Sequence, residues 1–130
     1  MKIGIVGFGY RMGYLVRVIR AVVPEARFVG YVDPTPVGHV IPKNAFGLDA
    51  SGRPRDLGPE MHEHFDVGPS YETIADLHRA QNLDLLMIGS PNHLHLTHIR
   101  EGLELGLKIF SEKPVVATEP DTFALLDLLR

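Results

Sequence analysis

Gly7, Gly9 and Gly13 stand between an apolar run, residues 2 to 7 (KIGIVG), and a stretch from Met12 in which Leu15, Val16, Ile19, Val22 and Val23 recur at helical spacing. Glycines at a strand-to-helix junction have a definite chemistry open to them. Gly7 would permit a tight turn, and Gly9 would let the backbone approach a pyrophosphate held by the free N–H groups of the helix N-terminus. The spacing departs from G-x-G-x-x-G, because Met12 takes the third position and Gly13 comes one residue late. Met12 shares the apolar stripe of the helix, so it is expected to pack on the sheet and slightly displace the first helical turn. The same glycines also suit a bare turn.

Asp33 closes a second strand-like run, residues 27 to 33 (RFVGYVD), and follows the glycines at the distance where an acidic side chain accepts hydrogen bonds from an adenosine ribose. A carboxylate there repels a 2'-phosphate, and no lysine or arginine follows before Lys43, which favours NAD over NADP. An aspartate before Pro34 can equally initiate a turn.

Ser90, Pro91, Asn92 and His93 form a loop between a further strand (residues 83 to 89) and a helix. In a parallel sheet that loop faces the glycine turn. Its polar groups could meet a cofactor, while Asn92 is also a favourable helix N-cap. His93, His95 and His98 point around a helix rather than toward one point, so no metal site is expected. Solvent is the expected setting for His93 or His98, and a hydrogen-bonded interior or crevice position for His95. Lys113, in the turn Glu112-Lys113-Pro114, would emerge on the same sheet edge. There it could hold a substrate oxygen or cofactor ribose and assist proton movement, or be an ordinary turn lysine.

The elements that must position these residues alternate. Strands are expected at residues 2 to 7, 27 to 33, 65 to 67, 83 to 89 and 107 to 111. Helices are expected from Met12 to the break at Pro24, after the Thr73/Asp76 capping spacing, from Asn92 to Leu105 with Gly106 closing it, and after Thr118/Asp121. Residues 34 to 59 are rich in proline and glycine and read as loop, with a short helix possible at residues 43 to 46. Strand and helix in turn imply right-handed crossovers around a parallel sheet, hence a three-layer, doubly wound α/β Rossmann fold with at least five strands in the order 3-2-1-4-5.

Composition narrows the function. With 130 residues, 45% hydrophobic, the chain can bury one core without disulfides, and it has no cysteine. A net charge of -3 argues against a nucleic-acid partner. No signal peptide or membrane span can be drawn, which suggests a cytoplasmic protein without a membrane partner.

Together, GFGYRMG at residues 7 to 13, Asp33, SPNHLH at 90 to 95 and SEKP at 111 to 114 resemble one family, the Gfo/Idh/MocA oxidoreductases. The resemblance covers nearly the whole chain and implies an NAD(P)-dependent, two-domain parent enzyme acting on a hydroxyl carbon of a sugar, inositol or related polyol. It implies cofactor contacts from Gly7, Phe8, Gly9, Tyr10, Arg11 and Met12, from Asp33, and from Ser90, Pro91, Asn92 and His95. Glu112 and Lys113 would lie near the nicotinamide ribose and the substrate, Lys113 being the catalytic candidate. A cis bond from Lys113 to Pro114 is implied as well, aiming the lysine into the crevice. The family's second, substrate-binding domain is not in this sequence, so the expectation for residues 1 to 130 is cofactor binding without useful turnover. Surfaces that such a domain would cover could support self-association. A stand-alone NAD-binding or redox-sensing module is the alternative. A methyltransferase using S-adenosylmethionine would share the glycines and Asp33 but gives no reason for the Glu112-Lys113-Pro114 turn.

Overall fold

The apolar residues of two adjacent strands alternate between two cores. In β1 (Lys2–Val6), Ile3 and Ile5 join one cluster and Val6 the other. In β6 (Leu85–Ile88), Met87 joins the first cluster, while Leu86 and Ile88 join the second. A strand buried on both faces needs helices on both sides, and it receives them. The computed structural model describes residues 1–34, 40–42, 62–64 and 66–130.

The remaining strands of the sheet are β2 (Arg27–Val32), β5 (Ser70–Tyr71) and β7 (Lys108–Ser111). All neighbours run parallel in the order β5-β2-β1-β6-β7, which is 3-2-1-4-5 counted within the sheet. This is the expected Rossmann arrangement. Helix α1 (Tyr10–Val22) covers one face through Met12 and Val16. Helices α2 (Ile74–Gln81) and α3 (His95–Glu104) cover the other through Ile74, Leu77 and Ile99, and α4 (Glu119–Leu128) lies beside α3. Phe123, Leu126 and Leu129 at the end of the chain are exposed.

Two glycines let α2 settle on the sheet. Gly4 and Gly30 are register partners in β1 and β2, and a Cβ on either would come within 2.9 Å of the fully buried Leu77.

The third strand of the sheet is displaced from its expected place. Residues 66 and 67 are not in a strand, and the pairing segment is Ser70–Tyr71. Val67 is apolar because it plugs the first core at 1% exposure, while Gly68 turns the backbone to φ +85° and Pro69 has no N–H to offer a ladder. Pairing with β2 resumes only beyond them, after Tyr31 N donates to Pro69 O at 3.1 Å. The region expected to be loop holds β3 (Val40–Pro42), which pairs antiparallel with β4 (His62–His64) just beyond it. The short helix expected at residues 43 to 46 lies outside the described residues. The helix expected from Asn92 begins as a 3-10 turn, Asn92–Leu94, before α3. No described helix is long and apolar enough to cross a membrane.

Candidate dinucleotide-binding crevice

The chain leaves β1 through Gly7, whose φ of +74° and close approach to the next loop exclude a side chain: a Cβ would sit 2.3 Å from Ser90 N. Phe8 turns its ring into the core against Tyr31, with ring centroids 6.4 Å apart, and presents its backbone outward. That backbone N–H donates to Asp33 Oδ2 at 2.8 Å, so the residue expected to hold a ribose also fixes the glycine turn. Gly9 is the N-cap of α1. Its backbone is ordinarily extended, at φ -88° and ψ -179°, and a Cβ there would meet nothing within 4 Å. What its lack of a side chain leaves is open ground above the first turn of α1, where no side chain caps the N–H groups and no acidic residue stands. Tyr10 and Arg11 open that helix.

Met12 is 1% exposed and lies over Gly89, where a Cβ would meet Met12 Cε at 2.5 Å. The close packing that a third glycine would have allowed on α1 is thus achieved from the opposite side. Gly89 at the end of β6 makes room for the methionine.

The second wall is built from the ends of β6 and β7. Gly89 N donates to Val6 O at 2.9 Å and Glu112 N to Ile88 O at 2.9 Å, so the sheet ladder carries both loops to the same edge. A cavity of about 640 Å³ is lined by Gly7, Phe8, Gly9, Asp33, Pro91 and His98 among others, and one of about 310 Å³ by Arg11, Asn92, His95, Glu112 and Lys113. Both are lined by Gly89 and Ser90. They form one trough along the carboxyl ends of the strands, at the switch point between β1 and β6.

Charge is distributed unevenly along this trough. Arg11 Nε pairs with Glu112 Oε1 at 3.1 Å, joining the start of α1 to the turn after β7. Lys113 is exposed, its N–H donating to Glu112 Oε2 at 3.2 Å, and the Lys113–Pro114 peptide is cis. Open backbone donors, an absent side chain at Gly9, a nearby guanidinium and an acidic residue at Asp33 together fit a pyrophosphate flanked by a ribose.

The family model of the Gfo/Idh/MocA oxidoreductases, described as an oxidoreductase family with an NAD-binding Rossmann fold, matches residues 1–130. The chain belongs to that family. Among solved structures, the WlbA (WbpB) dehydrogenase of Thermus thermophilus, in complex with NAD and UDP-GlcNAcA, is 28% identical and superposes with a TM-score of 0.63, covering 98% of this chain and 38% of its own. The WlbA dehydrogenase of Chromobacterium violaceum, in complex with NADH and UDP-GlcNAcA, gives a TM-score of 0.70 at 16% identity over 98% of this chain and 31% of its own. A scyllo-inositol dehydrogenase of Lactobacillus casei with bound NAD(H) and scyllo-inositol gives 0.68 at 21% identity over 99% and 32%. The chain therefore spans about a third of the length of these proteins.

Of the residues expected from the sequence to line the site, all whose side chains are described stand on the trough or directly beneath it. Ser90 is buried, and its Oγ lies 2.8 Å from His98 Nδ1. Pro91 and Asn92 are exposed; Asn92 opens the 3-10 turn, and no side chain caps that turn or α3. His93 is exposed. His95 is 1% exposed and spends both ring nitrogens on backbone carbonyls. Sequence reasoning missed the Ser90–His98 pair, which the 3-10 turn and the first turn of α3 bring together, and the Arg11–Glu112 pair, which the sheet order brings together. Burial holds the His98 pKa below its ordinary value of 6.5; Glu101 works against the shift and His95 adds to it. Among the described residues, no group of three or more His, Asp or Glu is placed to hold a metal ion.

Proposed function

We propose that the trough binds NAD(H), and that this domain serves a longer oxidoreductase acting on a hydroxyl carbon of a sugar, inositol or related polyol. The observation that carries this reading is the continuity of the two cavities through Gly89 and Ser90, with the uncapped end of α1 opening onto the trough. The backbone of Gly7 to Gly9 and the first turn of α1 would cradle the pyrophosphate. Asp33 would accept from the adenosine ribose hydroxyls and disfavour a 2'-phosphate, and Pro91 and Asn92 would border the dinucleotide beyond it.

Bound nicotinamide supplies the hydride chemistry. The chain's own residues orient it. Lys113, held beside Glu112 at the smaller cavity, would steady a substrate oxygen and give or take its proton at Nζ. The solved relatives are about three times longer than this chain. A further part of the protein would supply the wall that aligns an alcohol against that lysine, so the 130-residue unit binds cofactor without useful turnover.

Calorimetric titration with NADH, NADPH and S-adenosylmethionine tests the binding. NADH should bind at least about tenfold more tightly than NADPH, and S-adenosylmethionine not at all. A clear preference for NADPH removes the role given to Asp33, and no binding of either nicotinamide at millimolar concentration removes the reading. Nicotinamide absorbance with a panel of polyols should give no appreciable turnover by residues 1–130; substantial turnover contradicts the need for a further part.

A further inference from the structure

We propose that His95 is a positioning residue that ties the turn carrying Lys113 to the loop carrying Ser90, and so sets the geometry of the nicotinamide end of the trough. The inference rests on the reading that the nicotinamide lies beside Lys113.

Arg11 holds the turn at Glu112, and beyond that residue its ties are few. The last ladder bond on this side is Glu112 N to Ile88 O, and the bond from Lys113 N returns only to its neighbour Glu112. Among the described residues, residues 113–117 have one hydrogen bond to another element: His95 Nδ1 lies 2.8 Å from Pro114 O. The other ring nitrogen, Nε2, lies 2.8 Å from Ser90 O. One fully buried ring at the start of α3 thus spans two loops that leave different strands, β6 and β7.

The chemistry of the partners separates this role from catalysis. Both are carbonyl oxygens, which only accept, so the ring offers an N–H to each only when both nitrogens carry a proton. With one proton, it donates to one carbonyl and leaves the other facing a lone pair. In either state both nitrogens point at backbone, and the ring is not free to act on a substrate. What it does instead is hold Pro114, and through it Lys113, at a fixed distance from Ser90, the residue shared by both cavities.

Two substitutions and two ligands test this. His95→Leu removes both ring nitrogens at similar bulk, and His95→Gln keeps one amide nitrogen able to donate. Each is titrated with NADH and with ADP-ribose, which has the adenosine, pyrophosphate and second ribose but no nicotinamide. NADH affinity should fall about tenfold in His95→Leu and by less in His95→Gln, while ADP-ribose affinity stays within about twofold for both. Equal losses for the two ligands would assign His95 a general structural role and overturn the proposal, and so would unchanged NADH affinity. Should His95→Leu not fold, His95→Gln carries the same comparison. An unaltered chain that binds neither ligand defeats the dinucleotide reading itself, a result distinguishable from either of the others.

Discussion

The helices in the middle of the sheet begin differently from those at its edges. Helices α2 and α4 follow the edge strands β5 and β7, and each completes its own N-terminus: Thr73 and Thr118 accept from Asp76 N and Asp121 N, and acidic residues occupy the first turns. Helices α1 and α3 follow the adjacent strands β1 and β6. Neither has a side-chain cap or an acidic residue in its first turn. Every helix starts with N–H groups that lack a partner within the helix. At the periphery a threonine side chain answers that need; at the switch point α3 continues from the 3-10 turn, with His95 N–H donating to Asn92 O, and the start of α1 is left without a side-chain cap beside the trough.

This contrast can be broken most severely from the open side. Gly9→Asp would place a carboxylate cap where the pyrophosphate is expected, so NADH affinity should fall on the order of hundredfold while the melting temperature holds or rises. Unchanged affinity would mean that the open end of α1 is not where the anion sits. Gly7→Ala attacks the turn itself. With φ at +74° and Ser90 N in the way, it should lose about 2 kcal/mol of stability by chemical denaturation, whereas a loss near zero would show the turn to be adaptable. On the closed side, Thr73→Ala and Thr118→Ala should each lose about 1 kcal/mol and leave NADH affinity within about twofold, a split that reverses that of Gly9→Asp.

The smallest effects separate the two sides by pH. His98, on the trough, has a folded pKa below 6.5, so the unfolded chain binds more protons and the stabilising contribution is lost as pH falls below 6.5; His98→Gln should flatten that slope. Asp76, on a capped helix, is held below 3.8 by the Thr73 hydroxyl and then Arg79, so its contribution is present above pH 3.8 and lost as pH falls below it; Asp76→Asn should lower stability throughout the higher range and flatten the acid limb. A slope near pH 6 that survives in His98→Gln would assign the proton uptake elsewhere.

What was legible in the sequence follows the same division. Glycine, aspartate and the Glu112-Lys113-Pro114 turn lie at strand ends, where spacing alone places them on one edge of a parallel sheet, and the Thr73 and Thr118 caps are written in four-residue patterns. The third strand was misplaced because Val67 has the apolarity of a strand residue but serves as a core plug before a left-handed glycine. The accommodation of Met12 by Gly89, and the bridging by His95 of Ser90 to Pro114, join segments whose proximity depends on the packing of helices against the sheet. Local periodicity does not encode that distance.

Amide chemical-shift mapping during an NADH titration tests the central claim most directly. The largest changes should fall on residues 8 to 12, on Asp33 and on residues 90 to 94, with Thr73 to Asp76 and Thr118 to Asp121 nearly still. Shifts concentrated at the capped helix starts, or none at millimolar NADH, would contradict it.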